Sequence, residues 1–448
     1  MQLEASLELV SEEFVPHELA RFRQHLAPGW VEESLLATGT ATVRHRRLPS
    51  EQVVWLVIGM ALLRNESIER VVASLDLAMP VADGSSVARS AITQARTRVG
   101  SAPLEHLFAV TSAAWAEAGD DAHRWRGLSV YAVDGSTLRV PDSRENWAAF
   151  GGQTGSATRG GSAYPTVRLV ALMAARTHVL TALVHADYHT GEATLWKNLW
   201  HQLPDDAVTL VDRAFLIAND LHHLVASGQN RHWVTRAKST TRLRVVERLG
   251  LNDTLVEIQL SAPTRRKYPD LPPVWLARAI KYRRKGFRGS TVLTSLLDPR
   301  AYPASEVVAL YHERWEIELG YDEIKTHLLD RQESIRSRTP EGVRQEIWGI
   351  ALAYNLIRLE MARAAADVGV APTRISFVAA LSIIRVALLL SSSTPLAPGR
   401  IPARLLDMRR HLKLLLLPAR RSERANPRAV KIKMSNYSRK PPTGRGRK

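Results

Sequence analysis

No cysteine occurs among the 448 residues, which excludes disulfides and cysteine-ligated zinc and fits a reducing compartment. The 15 histidines show no metal-ligand spacing; His222 and His223 are adjacent and would point apart on a helix. No serine or cysteine nucleophile motif stands out. Long apolar runs are missing too. "VVWLVIGMALL" (53–63) is too short to span a bilayer, and "ISFVAALSIIRVALLL" (375–390) is interrupted by Arg385, so both read as buried helices. The first residues, "MQLEASLELVSEEF", lack the apolar stretch of a signal peptide, so a cytoplasmic location without membrane contact is expected.

What remains is a globular composition, 45% hydrophobic, in a chain long enough for roughly two to four folding units. The net charge of +17 is unevenly placed. Residues 400–448 carry sixteen basic side chains against only Asp407 and Glu423, so this segment holds +14 of the total. A tail such as "NPRAVKIKMSNYSRKPPTGRGRK" cannot bury enough apolar surface to fold alone. It would pair with phosphates, with an affinity that falls steeply as salt rises, a solubility tail being the alternative.

Residues 1–125 read as a helical, DNA-binding domain. A helix is expected over 50–75, then the turn "MPVADGSS", then a basic helix ending at Gly100 that carries Arg89 and Arg96. Helix, glycine-containing turn and basic helix suggest a helix-turn-helix-like reader; an ordinary helical bundle is the alternative. From about 126 to 238 the pattern changes to strands: "LSVYAVDGSTLRV", two strands around "ARTH", "AVTLVDRAF" and "HWVTRAK", with the helix "GEATLWKNLWHQL" between them. That alternation predicts a mixed α/β sheet. Short β-like runs over 239–300 read as an inserted β unit. Residues 301–395 are helical, including one helix over 303–329, and 396–448 form the basic tail. The stretch "FGGQTGSATRGGS" (150–162) lacks the GK[ST] ending of a phosphate loop and reads as a loop.

Acidic residues carry the chemistry. Asp134 and Asp212 each follow a short apolar run, as expected at the end of a buried strand. An unpaired carboxylate is costly there, and ligands collect at such ends. A capping role is the alternative for each. "YHERWEIELGYDEIK" (311–325) adds five acidic side chains on one helical stretch. At about 100° per residue, Tyr311, Arg314, Glu318, Asp322 and Lys325 fall on one stripe bordering the core. Glu313, Glu316 and Glu323 fall on the side facing away, where solvation is expected. For Glu318 the alternative is a structural ion pair with Arg314 or Lys325. Three carboxylates on two strands and a helix would suit hard divalent ions, which take oxygen ligands and can serve in-line phosphoryl displacement as a pair. Arg314 and Lys325 would hold nearby phosphates.

The spacing Y-x2-R-x3-E-x6-K formed by Tyr311, Arg314, Glu318 and Lys325 resembles the signature of bacterial DDE transposases of the insertion-sequence-four family. "AVDGSTLRVPDS" and "LVDRAF" resemble the family's two Asp regions, "HWVTRAK" the strand that follows, and "PRAVKIKMSNY" its tail; the resemblance covers about 40–440. It implies an α/β fold with an RNase H-like catalytic core, an inserted β subdomain, and helical N- and C-terminal regions. It implies a metal-binding catalytic triad of Asp134, Asp212 and Glu318, served by two Mg²⁺ ions with Mn²⁺ as a substitute. Tyr311, Arg314 and Lys325 would contact DNA at the element's terminal inverted repeats. The implied reaction is cut-and-paste transposition: end nicking, hairpin formation and opening, and strand transfer to target DNA by a homodimer at the bacterial nucleoid. Family members hold a flipped base on a tryptophan of the insertion; Trp275 is the candidate, a core tryptophan being the alternative. A catalytically inactive DNA-binding descendant and a related nuclease are the competing readings.

Overall fold

Alternating β-branched and aliphatic residues from Ser129 onward build one continuous sheet. The computed structural model describes residues 25–41, 47–78, 87–153, 162–284, 288–331, 334–391 and 416–417. Its strands are β1 (Ser129–Arg139), β2 (Thr166–Ala174), β3 (Leu180–Asp187), β4 (Ala207–Val211), β5 (Arg231–Arg236), β6 (Leu243–Gly250), β7 (Asp253–Ile258), β8 (Leu276–Tyr282) and β9 (Ser290–Thr294). They lie in the order β3-β2-β1-β4-β5-β9-β8-β7-β6. The first three form an antiparallel meander, while β1, β4 and β5 run parallel. This 3-2-1-4-5 arrangement is the RNase H-like core. Strands β6 to β9 are all antiparallel and extend the same sheet through the β5–β9 pairing.

The helices are α1 (Pro28–Ala37), α2 (Ser50–Leu62), α3 (Ile68–Ser74), α4 (Arg89–Val99), α5 (Ala102–Asp120), α6 (Arg144–Phe150), α7 (Glu192–Trp196), α8 (Ala218–Ala226), α9 (Ala262–Lys267), α10 (Ala304–His312), α11 (Trp315–Asp322), α12 (Pro340–Asp367) and α13 (Phe377–Ser391). Side chains of a strand alternate between two faces, and the sheet separates two apolar cores. Ala132, Val208 and Leu210 face the core shared with the N-terminal helices and α10–α13. Tyr131, Val133 and Val211 face the other, with Trp196 and Trp233. Helix α12 is buried along most of its length. It lies so close to α2 that a Cβ on Gly349 would stand 2.5 Å from Val57 Cγ1 and 2.9 Å from the Val57 carbonyl oxygen. Among the described residues no helix is long and apolar enough to cross a membrane.

The structure corrects several boundaries. Asp134 sits in the middle of β1, because β2 pairs with β1 as far as Arg139; the strand that ends beside it is β4. The helix expected over 50–75 is two, α2 and α3. The one expected over 191–203 stops at Trp196, where Leu199 and Leu203 turn into the second core. The stretch 303–329 is also interrupted. Helix α10 ends at His312, α11 begins at Trp315, and residues Glu323–Leu328 form a π-helical turn in which the Leu329 amide donates to the Ile324 carbonyl at 2.9 Å. Such widened turns recur at functional sites. The turn expected at 79–86, residues 154–161 of the glycine-rich stretch and nearly all of the basic tail lie outside the described residues.

Candidate active site

Register brings the first two acids together. Val133 of β1 is level with Val211 of β4, the last pair of their parallel register, so Asp134 and Asp212 each directly follow a paired residue where the strands lie roughly 5 Å apart. Both belong to the face that carries Ala132 and Leu210, the face covered by α10 and α11. Because β4 stops at Val211 and β1 continues, the pair lies at a step in the sheet.

Helix α11 supplies the third acid over this step. Arg314, immediately before α11, donates from Nη2 to Glu318 Oε1 at 2.6 Å, and its Nη1 lies 3.6 Å from Asp134 Oδ2. One guanidinium therefore spans two of the three predicted ligands. The Tyr321 hydroxyl donates to the Asp134 carbonyl at 2.9 Å, pinning α11 to the strand. Burial pushes the Asp134 carboxyl up to about 6, with Glu318 and Glu192 adding to the rise and the Gly135 amide and Arg314 opposing it. Tyr311 is buried, which raises its hydroxyl above the usual phenol range; Arg314 and Arg236 counter this and Asp212 reinforces it. Lys325 stands in the π-helical turn and lines an apolar cavity with Ser136 and Leu138 of β1. These are two and four residues beyond Asp134 on its own face, so Lys325 follows the strand away from the acids.

Asp134, Asp212 and Glu318 offer only oxygen donors, the type a hard divalent ion takes. Among the described residues no group of three such side chains is gathered closely enough to hold a metal ion as it stands. Arg314 supplies positive charge between two of the acids instead.

The remaining candidates are dispersed. Arg89 is exposed at the start of α4 and pairs with Glu69 at 3.1 Å. Arg96 is directed inward: it donates to Gln345 Oε1 at 2.8 Å and Ser337 Oγ at 3.1 Å, and lies 3.6 Å from Glu346. Its side chain joins the N-terminal helices to α12 rather than facing a duplex. Trp275 is half-buried, its ring 5.7 Å from that of Trp233.

Glu313, Glu316 and Glu323 are each paired rather than left to solvent, although Glu313 stays 30% exposed, against the expectation from the helical wheel. Arg176 donates to Glu313 from Nε and Nη2, both at 2.9 Å. Glu316 is 2.9 Å from His178 Nε2. Glu323 accepts from the Tyr354 hydroxyl at 2.7 Å and from Arg358 Nη1 at 3.4 Å. The wheel assumed one solvent-backed helix, whereas α11 is wedged between the sheet and α12. The available signal was in α12: Tyr354, Asn355 and Arg358 interrupt its apolar stretch over 347–359, and polar groups buried there require partners.

Burial alone would raise the Glu323 carboxyl, but Arg358, His178 and Tyr354 hold it down to about 2. A depressed carboxylate stabilises the fold above its unfolded value, near 4.5, and the contribution fades as pH falls toward 2. Glu323→Gln is accordingly expected to cost about 3 kcal/mol at pH 6 and roughly half as much or less at pH 3. Urea unfolding of both proteins at the two pH values measures this; a cost independent of pH would refute it.

Residues 16–109 match the family described as insertion element 4 transposase N-terminal, and residues 125–356 match the transposase DDE domain. The chain is similar to the transposase InsG for insertion sequence element IS4 of Escherichia coli (strain K12), 36% identical over 444 residues and 98% of each chain. Among solved structures, the piggyBac transposase synaptic complex with hairpin DNA aligns over 88% of this chain and 85% of that one, with a TM-score of 0.45 and 9% identity.

Proposed function

Because the chain belongs to the insertion element 4 family of DDE transposases, we propose that the step beside β4 is its catalytic centre, with Asp134, Asp212 and Glu318 as the metal-holding acids. DDE transposase domains use divalent metal ions; we assign two Mg²⁺ ions, replaceable by Mn²⁺. The observation that carries this reading is Arg314 spanning Asp134 and Glu318 within 3.6 Å, which supports a common site for residues far apart in the chain.

Bound there, the ions supply an activated water and charge stabilisation for the departing oxygen. The protein's own residues do the rest. With a cation in place Asp134 would be held ionised, and Arg314 would be free to turn its fork to a phosphate of the element's terminal repeat. Lys325, farther along β1, meets a neighbouring phosphate as a point charge. The buried Tyr311 holds its hydroxyl beside Asp212 as a neutral donor. Water attacks the phosphodiester at the element's end and frees a 3′-hydroxyl. That hydroxyl attacks the opposite strand, closing a hairpin and releasing flanking DNA. A second water opens the hairpin, and the 3′-ends attack target DNA. The two hydrolytic steps each break one phosphodiester bond, leaving a 3′-hydroxyl and a 5′-phosphate. The two 3′-hydroxyl attacks each exchange one phosphodiester for another, and no covalent enzyme–DNA link forms. Two copies of the chain would hold the two ends.

The experiment is direct. The purified chain, incubated with Mg²⁺ and a duplex ending in the element's inverted repeat, is expected to yield a nicked species and then a hairpin, resolved on a denaturing gel. Nicking without any hairpin would leave a nuclease, and binding without cleavage an inactive descendant.

A further inference from the structure

Helix α11 has only eight residues, follows an interruption at Glu313–Arg314 and runs into a π-helical turn. Continuity with longer helices therefore does not fix its rotation. Apolar packing resists such rotation weakly because it is non-directional. Apart from the Tyr321 bond to the Asp134 carbonyl, the helix's directional contacts come from α12 and from the turn between β2 and β3.

Arg176 in that turn takes Glu313 in a two-pronged grip, both bonds at 2.9 Å, while its Nη1 donates to the His123 carbonyl at 3.1 Å. His178, two residues on, meets Glu316 through Nε2 at 2.9 Å and Glu323 through Nδ1 at 3.4 Å. Arg358 of α12 donates from Nε to the Thr177 carbonyl at 3.0 Å and reaches Glu323 at 3.4 Å, so it ties turn to helix. The backbone of His178 is held at φ 64°, a left-handed conformation that a non-glycine residue keeps only where its surroundings demand it. Glu313, Glu316 and Glu323 are thus gripped by the β2–β3 turn and α12, while Arg314, with its partner Glu318, and Lys325 lie toward β1.

We propose that Arg176 and His178 are positioning residues of the transposase reaction: their grip on Glu313, Glu316 and Glu323 sets the rotation of α11 and so the direction in which Arg314, Glu318 and Lys325 point. The inference rests on the assignment of Glu318 to the catalytic centre. A helix with its side chains has a radius of about 5–6 Å, so a turn of about 20° carries a carboxylate about 2 Å. A displacement of about 1 Å at a reacting centre costs on the order of 100-fold in rate.

Single-turnover nicking of the end duplex and gel-shift affinity, measured on the full chain in Mg²⁺, test it. Arg176→Gln and His178→Gln are expected to nick about 30- to 100-fold more slowly, with duplex affinity and folded fraction near wild type. Glu313→Gln is expected to match Arg176→Gln, and the double variant to be no worse than either alone, since the two act as one unit. Arg176→Lys, which keeps the charge but not the fork, is expected to recover only part of the rate. Arg176 is partly exposed (30%), so its variants decide the matter if His178→Gln fails to fold. Nicking at the wild-type rate by Arg176→Gln, or a loss that only tracks unfolded protein or weakened binding, would overturn the proposal. A wild-type chain inert on the duplex would instead overturn the assignment of the site.

Discussion

Asp134→Asn, Asp212→Asn and Glu318→Gln are each expected to slow cleavage of an element-end duplex by about 1,000-fold or more, with duplex affinity preserved. Removing one carboxylate takes a ligand from the metal-holding set, and the charge stabilisation supplied there amounts to several kcal/mol, which at about 1.4 kcal/mol per decade gives that factor. Binding survives because these acids repel phosphate, so losing a negative charge helps rather than hinders association. Asp134 and Glu318 have a further link through Arg314. Each of their variants frees the guanidinium on one side, and the double variant is expected to be no slower than the worse single one. Rates come from single-turnover cleavage and affinities from gel shift, at one salt concentration. Cleavage at the wild-type rate by any one variant would remove that residue from the centre.

A large effect on stability is expected far from the chemistry. Arg278 of β8 is fully buried and donates to Asp253 Oδ1 at 2.8 Å and Oδ2 at 2.5 Å, and to the Tyr302 carbonyl at 2.5 Å. Removing only the acid leaves a guanidinium stranded away from water. Asp253→Ala is therefore expected to cost about 3–5 kcal/mol in urea unfolding. Replacing both partners by apolar residues, Asp253→Leu with Arg278→Met, is expected to recover most of the loss, since no unpaired charge remains. A single variant within about 1 kcal/mol of wild type would show that water reaches the pair.

Local pattern was enough to read the strands of the core. β1, β2, β3, β4 and β5 fall on the runs "LSVYAVDGSTLRV", "PTVRLVALM", "VLTALVHAD", "AVTLV" and "HWVTR", because each is a β-rich stretch bounded by polar turn residues. The family was legible in the spacing of Tyr311, Arg314, Glu318 and Lys325. Two things were not. Asp134 looked like the end of a buried strand because it follows the apolar "VYAV" and precedes Gly135, whereas pairing with β2 continues through it to Arg139. The three glutamates facing His178, Arg176 and Arg358 looked solvated because a wheel drawn for one helix says nothing of a second layer behind it. Arg96 misled for a related reason: a basic residue on a polar helical face is as well suited to Glu346 as to a phosphate. Long-range partners, not periodicity, decide such positions.

Strand β5 is hydrogen-bonded on both flanks, to β4 on one side and β9 on the other. The added strands are thus stitched on by main-chain bonds, and no swivel of side-chain contacts separates them from the acids. Excising residues 239–300 would turn an interior strand into a raw border, open to pairing with any other chain. A pull on the far hairpin would travel through the peptide ladder to β4, whose last residue adjoins Asp212.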